Sequence, residues 1–152
     1  MSVLRHRLFP TLATLALLGL SGCTSDDEGA EMKSTEAAQR LTAEVTELGA
    51  QLSDATPEVK QDEFLTCEPE KYDGQVYPTY TAHLPVVRDA ITVIENEIVP
   101  AREAAGWTLR KRDSEDYVSY DFDKDGFIVG VSVYPDDGLV VGGSGPCVED
   151  DQ

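Results

Sequence analysis

The chain has 152 residues, a formal net charge of −17 and a sequence pI near 4.2. So acidic a surface repels the phosphates of nucleic acids and anionic lipid headgroups, which excludes nucleic acid as a predicted partner. Any attachment to a membrane therefore has to come from a hydrophobic anchor.

Residues 1–22 have the composition of an export signal. Arg5 and Arg7 precede the apolar run LFPTLATLALLGL, and small residues follow in LSGC at residues 20–23. A spanning helix needs about 20 apolar residues, and this run has 13. The pattern therefore predicts a signal peptide that is removed on export.

LSGC resembles the lipobox of bacterial lipoproteins, in which a lipid is attached to the cysteine thiol and the chain is cut before it. The resemblance implies that Cys23 is the lipidated first residue of the mature protein, held on the extracytoplasmic face of the cell membrane by acyl chains such as palmitate. Each buried CH₂ contributes about 0.8 kcal/mol to such an anchor. An ordinary secreted protein with an unmodified Cys23 is the alternative.

Residues 23–33 are predicted to be a flexible acidic tether, because TSDDEGAE has few apolar residues and no periodic pattern. Removing residues 1–22 takes away Arg5 and Arg7 and no acid, so the formal charge of the mature chain changes from −17 to −19. Residues 34–149 are predicted to form a single domain, which is long enough for one core.

The remaining cysteines, Cys67 and Cys147, are predicted to form a disulfide. Cys23 is assigned to the lipid, and an exported chain with two cysteines left over favours a bond between them. A free catalytic thiol is the other interpretation.

Two helices are predicted from apolar residues that recur at helical spacing. The first runs from Ser34 to Leu52, with Ser34 or Thr35 as its N-cap. The second fits Pro85 to Ala105, with Gly106 ending it in the left-handed conformation. Pro100 lies inside this second pattern and predicts a kink or a restart of the helix, because it has no N–H and clashes with a carbonyl one turn earlier.

Alternating apolar and polar residues predict the strands. They are VYPTYTAHL before the second helix, WTLRKR after it, and then residues 117–123, 127–134 and 139–142. Short turns join the last three, which indicates an antiparallel meander with one apolar face. The predicted fold is α+β, a two-layer sandwich in which two helices cover one face of the sheet.

The segment YDFDKDG allows two interpretations. Asp121, Asp123 and Asp125 with Gly126 match the opening of an EF-hand calcium loop, but Ser132 stands where the bidentate Glu belongs and no helices flank the loop. A type I′ turn at Asp125-Gly126 pairs apolar residues on both strands: Phe122 with Val129, Tyr120 with Val131 and Val118 with Val133. The hairpin is the prediction, and weak calcium binding is the alternative.

The next turn is predicted as a three-residue loop, Asp136-Asp137-Gly138, with Gly138 left-handed. That loop places Val133 opposite Val141.

No residue is predicted to be catalytic and no metal or cofactor is predicted. His83 is the only histidine of the mature chain and has no acid or cysteine at motif spacing, so it is predicted to be solvated. GGSG at residues 142–145 follows a strand and opens no helix, which argues against a phosphate loop.

The polar face of the sheet is the candidate binding surface. It is predicted to present Tyr77, Arg110, Arg112, Tyr117, Ser119, Asp121 and Tyr134. The leading hypothesis is a lipid-anchored module that binds or scaffolds an unidentified protein or small molecule without catalysis. A small surface hydrolase is the alternative, and it would need titrating groups that converge in a cleft. The chain as a whole also resembles small lipoproteins of high-GC Gram-positive bacteria with a closing GGSGPC. This resemblance implies a location and does not point to any particular activity.

Overall fold

The structure is a computed structural model that describes residues 32–68, 74–85 and 87–151. These residues belong to one compact unit. Helix α1 (Ser34–Leu52) comes first, followed by strands β1 (Glu58–Thr66) and β2 (Gln75–Leu84). The second helix, α2, covers residues 90–104, and five strands follow it: β3 (Thr108–Asp113), β4 (Val118–Lys124), β5 (Phe127–Tyr134), β6 (Gly138–Ser144) and β7 (Val148–Glu149).

The predicted α+β sandwich is confirmed. All strands pair antiparallel in one open sheet of order β1-β2-β6-β5-β4-β3, and β7 pairs with the beginning of β2. The consecutive strands β3 to β6 form the predicted meander. Helix α1 packs on β2, β5 and β6, so one face of the sheet is covered and the other, hereafter the outer face, faces solvent.

The core lies between the helices and the inner face of the sheet. Helix α1 contributes the predicted stripe of Leu41, Val45, Leu48 and Leu52, all of which are buried. Strands β4 and β5 contribute Tyr120, Phe122, Phe127, Val129 and Val131, each at most 1% exposed. Burial of this kind stabilises a fold by about 25 cal/mol per Å² of apolar surface.

Two strands were missing from the prediction. Strand β1 reads EVKQDEFLT, and its charged residues hide the alternation that marks the other strands. Because β1 lies at the edge of the sheet, one side of the strand is exposed to solvent. Charged residues are favoured on such a strand, since they prevent it from pairing with other chains. Cys67 therefore follows the first strand, whereas the sequence placed it before the first strand. The two-residue β7 is too short to leave a pattern.

The second helix begins later than predicted and has an irregular middle. It starts at Ala90 instead of Pro85, and a π-helical turn, Ile94–Ile98, separates the α-helical segments Ala90–Val93 and Val99–Ala104. Pro100 is the second residue after the π turn, and the N–H of Val99, between them, reaches back to the carbonyl of Ile94. The wider turn is the irregularity that the proline predicts. Gly106, at φ +86°, ends the helix as expected.

The β4–β5 hairpin is confirmed. Asp125 and Gly126 have φ of 53° and 79°, as a type I′ turn requires, and Phe122 pairs with Val129, Tyr120 with Val131 and Val118 with Val133.

The predicted register of the β5–β6 hairpin is wrong by two residues. Val133 pairs with Leu139 and Val131 pairs with Val141, so the loop is residues 135–137. Pro135 cannot donate to a ladder hydrogen bond, so β5 stops at Tyr134 and the turn begins one residue early. A shift of two keeps every side chain on its predicted face.

Candidate functional site: the outer face of the sheet

The predicted disulfide partners lie together. Cys67 and Cys147 are at disulfide distance, with their Cα atoms 6.0 Å apart and a sequence separation of 80. Cys67 directly follows β1, and its N–H bonds to the carbonyl of Gln75 at the start of β2. Cys147 precedes β7, which also pairs with the start of β2. The cysteines thus join the edge hairpin to the carboxyl-terminal strand. Cys23, the predicted lipidation site, lies outside the described residues.

Strand β3 places two arginines on the outer face, each held by a carboxylate from β4. Arg112 Nη2 donates to Asp121 Oδ2 at 2.6 Å, and Arg110 Nη2 donates to Asp123. The arginine side chains are 66% and 64% exposed, whereas the carboxylates are 23% and 33% exposed. The carboxylates therefore lie close to the sheet, while the guanidinium groups extend above it.

The middle of the outer face forms a depression, because the glycines that pair there have no side chains to project from the sheet. Gly130 of β5 pairs with Gly142 of β6. Side chains from the neighbouring strands lean over both positions: a Cβ on Gly130 would lie 2.5 Å from Asp121 Oδ1, and a Cβ on Gly142 would lie 3.0 Å from Thr81 Oγ1. A carboxylate oxygen and a hydroxyl oxygen therefore flank a floor of exposed backbone.

Larger side chains border this floor. Tyr117 and Tyr134 lie at one end with ring centroids 5.3 Å apart, and Ile128, 37% exposed, lies at the other. Shallow depressions lie between these groups. One of about 410 Å³ is lined by Arg110, Arg112, Asp121 and Ile128, one of about 190 Å³ lies over the two glycines, and one of about 440 Å³ is lined by His83, Tyr134, Asp137, Gly138, Leu139 and Val140.

The residues predicted for this face are present on it, with two refinements. Ser119 is 2% exposed and donates to Asp121 Oδ1 at 3.3 Å, so it supports the ion pair from below and offers little surface. His83 is exposed and lies opposite Glu58 of β1, as the prediction of a solvated histidine expects. Thr81 and Gly130 were not singled out in the sequence, and Gly142 was noted only as part of GGSG, because only the strand order brings the three residues together.

The opposite layer contains one buried ion pair that the sequence did not predict. Arg102 of α2 is 6% exposed, pairs with Glu44 of α1 and lies over the Trp107 ring at 5.0 Å. A depression of about 270 Å³ opens beside it between the helices. Because its charge is already matched by Glu44, the pair ties the helices together, and Lys124, which also lines the depression, donates to the Ala105 carbonyl at 2.7 Å.

A second polar cluster connects α2 to the inner face of the sheet. Glu95, in the π turn, accepts from the Tyr120 hydroxyl at 2.8 Å and from Lys111 Nζ at 2.7 Å. The hydrogen bond from Lys111 lowers the pKa of Glu95, and burial raises the pKa of Tyr120. A protonated phenol and an ionised carboxylate match the roles of donor and acceptor, so this cluster fastens the helix to the sheet.

Within the described ranges, no cluster of three histidine, cysteine, aspartate or glutamate side chains could hold a metal ion. No helix among those residues is long and apolar enough to cross a membrane. No protein-family model, curated protein or solved structure matches this chain. The proposals below therefore depend on the sequence and the geometry of this chain.

Proposed function

We propose that this chain is an exported lipoprotein, anchored through Cys23, whose domain binds a partner at the outer face of its sheet without catalysis. The LSGC motif after an apolar run supports the anchor. The pairing of Cys67 with Cys147 supports an oxidising destination, because disulfides are rare in reducing compartments.

The observation that carries the binding role is the difference between the faces of the sheet. The helices bury the inner face, whereas no described segment covers the outer face, where each arginine is held by an ion pair with a carboxylate. Preorganised side chains lose less entropy on binding than free ones, so such a face is suited to recognition. The depressions are open and shallow, and a surface of that kind fits an extended partner better than an enclosed small substrate.

Photocrosslinking in intact cells tests this role. A photoreactive amino acid replaces Ser132, which lies on the outer face between β4 and β6. The control carries the same amino acid at Gln51, which is exposed at the end of α1 in the other layer. The proposal predicts a crosslinked product from position 132 and none from position 51. Equal products from both positions, or none from position 132, would refute it.

A further inference from the structure

The outer face offers fixed hydrogen-bond donors beside fixed acceptors. A guanidinium group carries five N–H donors, and Arg110 and Arg112 each engage a carboxylate through one nitrogen, Nη2. Their other donors extend toward solvent on side chains that are about two-thirds exposed. The acceptors Asp121 Oδ1 and Thr81 Oγ1 lie lower, beside the glycine floor. A ligand group that both donates and accepts, such as a hydroxyl, matches this arrangement.

The charges of these groups cancel. Arg110 and Arg112 contribute two positive charges and Asp121 and Asp123 contribute two negative ones, on a chain whose formal net charge is −17. An anionic ligand would lie beside two carboxylates and would be repelled by the rest of the protein. A cation would be attracted by the net charge, but on this face it would meet the two exposed guanidinium groups before the carboxylates that lie lower. A neutral ligand encounters neither penalty, so the charge distribution favours a neutral, hydrogen-bonding partner.

The apolar content of the face is low and aromatic. Among the described residues, Ile128 is the exposed large aliphatic residue on this face, and the half-buried rings of Tyr117 and Tyr134 lie against each other. The core of a stable protein interface is more apolar than this. A tyrosine ring with a free face does, however, pack well against an apolar C–H surface while its hydroxyl stays hydrated.

We infer that the outer face binds a neutral polysaccharide. Sugar hydroxyls would bond to the free arginine donors and to the oxygens of Asp121 and Thr81, and the apolar face of a sugar ring would pack on Tyr134. An extended chain fits three shallow depressions in a row on one face better than a compact ligand does. This inference rests on the proposed function, since it names the ligand class of the same surface.

Electrophoresis in native gels containing a polysaccharide tests the inference. The full lipoprotein is kept in a polyoxyethylene detergent, which has no sugar headgroup, and is run through gels containing starch, mannan, xylan or arabinogalactan. Polygalacturonate serves as the anionic probe. At least one neutral polymer is expected to retard the protein, and polygalacturonate is not. Arg112→Gln and Tyr134→Ala should each weaken the retardation at least tenfold.

Arg40→Gln is the matched control, because Arg40 also forms an exposed ion pair, with Asp125 at 3.2 Å, but lies on α1. Melting curves of all three variants verify that they are folded. Retardation by none of the neutral polymers, stronger retardation by polygalacturonate, or equal weakening by Arg40→Gln would each overturn the inference. If position 132 still crosslinks to a protein in cells, only the ligand class fails. If position 132 gives no crosslink either, the proposed binding role fails with it.

Discussion

Removal of the Cys67–Cys147 pair is expected to destabilise the domain strongly. The two residues are 80 apart in sequence, and closing a loop of that size in the unfolded chain corresponds to about 4.5 kcal/mol of stability in the loop-entropy model. Cys147 is exposed and Cys67 is partly exposed, so serine at both positions leaves no buried cavity. The double variant Cys67→Ser/Cys147→Ser therefore isolates the effect of the crosslink.

Thermal unfolding followed by circular dichroism measures the change. At about 4 °C per kcal/mol for a domain of this size, the double variant should melt roughly 15–20 °C lower than the parent. Reductant should lower the melting temperature of the parent by a similar amount and leave the variant unchanged. Cys23→Ala is the control and should melt like the parent. If a thiol-alkylating reagent adds two groups to the Cys67–Cys147 pair of the unreduced parent, the crosslink is refuted. If the melting temperature shifts by less than about 3 °C, the magnitude assigned to the crosslink is refuted.

Three further predictions concern the calcium alternative, the contact by which Asp151 caps the beginning of α1, and the buried ion pair of Arg102 with Glu44. Calcium should bind no tighter than about millimolar, because the hairpin holds the acidic residues on an extended strand; a micromolar site that Asp123→Asn abolishes would contradict the fold. Asp151 accepts from Ser34 Oγ at the start of α1, and that hydrogen bond lowers the pKa of Asp151, so Asp151→Asn should destabilise at neutral pH. The difference in unfolding free energy between Asp151→Asn and the parent should shrink as the pH falls below 3.8, the ordinary pKa of the carboxyl, and passes through its lowered pKa in the folded state. A difference that grows in acid would exclude this cap. Arg102→Leu should reduce the free energy of unfolding, measured with denaturant, by about 3 kcal/mol, because Glu44 loses its cation. The double variant Arg102→Leu/Glu44→Leu should recover part of that loss, and no recovery would mean that the two residues are not coupled.

The elements that follow local rules could be predicted from the sequence. Strand β5 has the predicted bounds, Phe127–Tyr134, because four inward apolar residues alternate along it and turn residues stand at both ends. The Asp125-Gly126 turn was predictable because few residues adopt positive φ, and the pairing it sets follows from the turn type. The buried stripe of α1 was predictable because its apolar residues recur every three or four positions, a pattern set by the helix itself.

What the sequence did not reveal depends on contacts between distant segments. Strand β1 is stabilised by pairing with β2, not by an apolar face, so its composition resembles that of a loop. The β5–β6 register is an exception, because it follows from a local signal: Pro135 lacks a donor and ends the strand at Tyr134. Of the candidate site, the arginines and tyrosines were predictable from alternation. The glycine floor was not, because only the strand order places Gly130 beside Gly142.

The proposed anchor and the predicted disulfide both require export, and one measurement tests export directly. Intact-mass spectrometry of the protein purified from membranes, followed by sequencing of the amino-terminal peptide, identifies the first residue and its modification. The account predicts a mature chain that begins at Cys23 and carries lipid on its thiol. A chain that retains residues 1–22, or one that begins elsewhere with an unmodified Cys23, would contradict it.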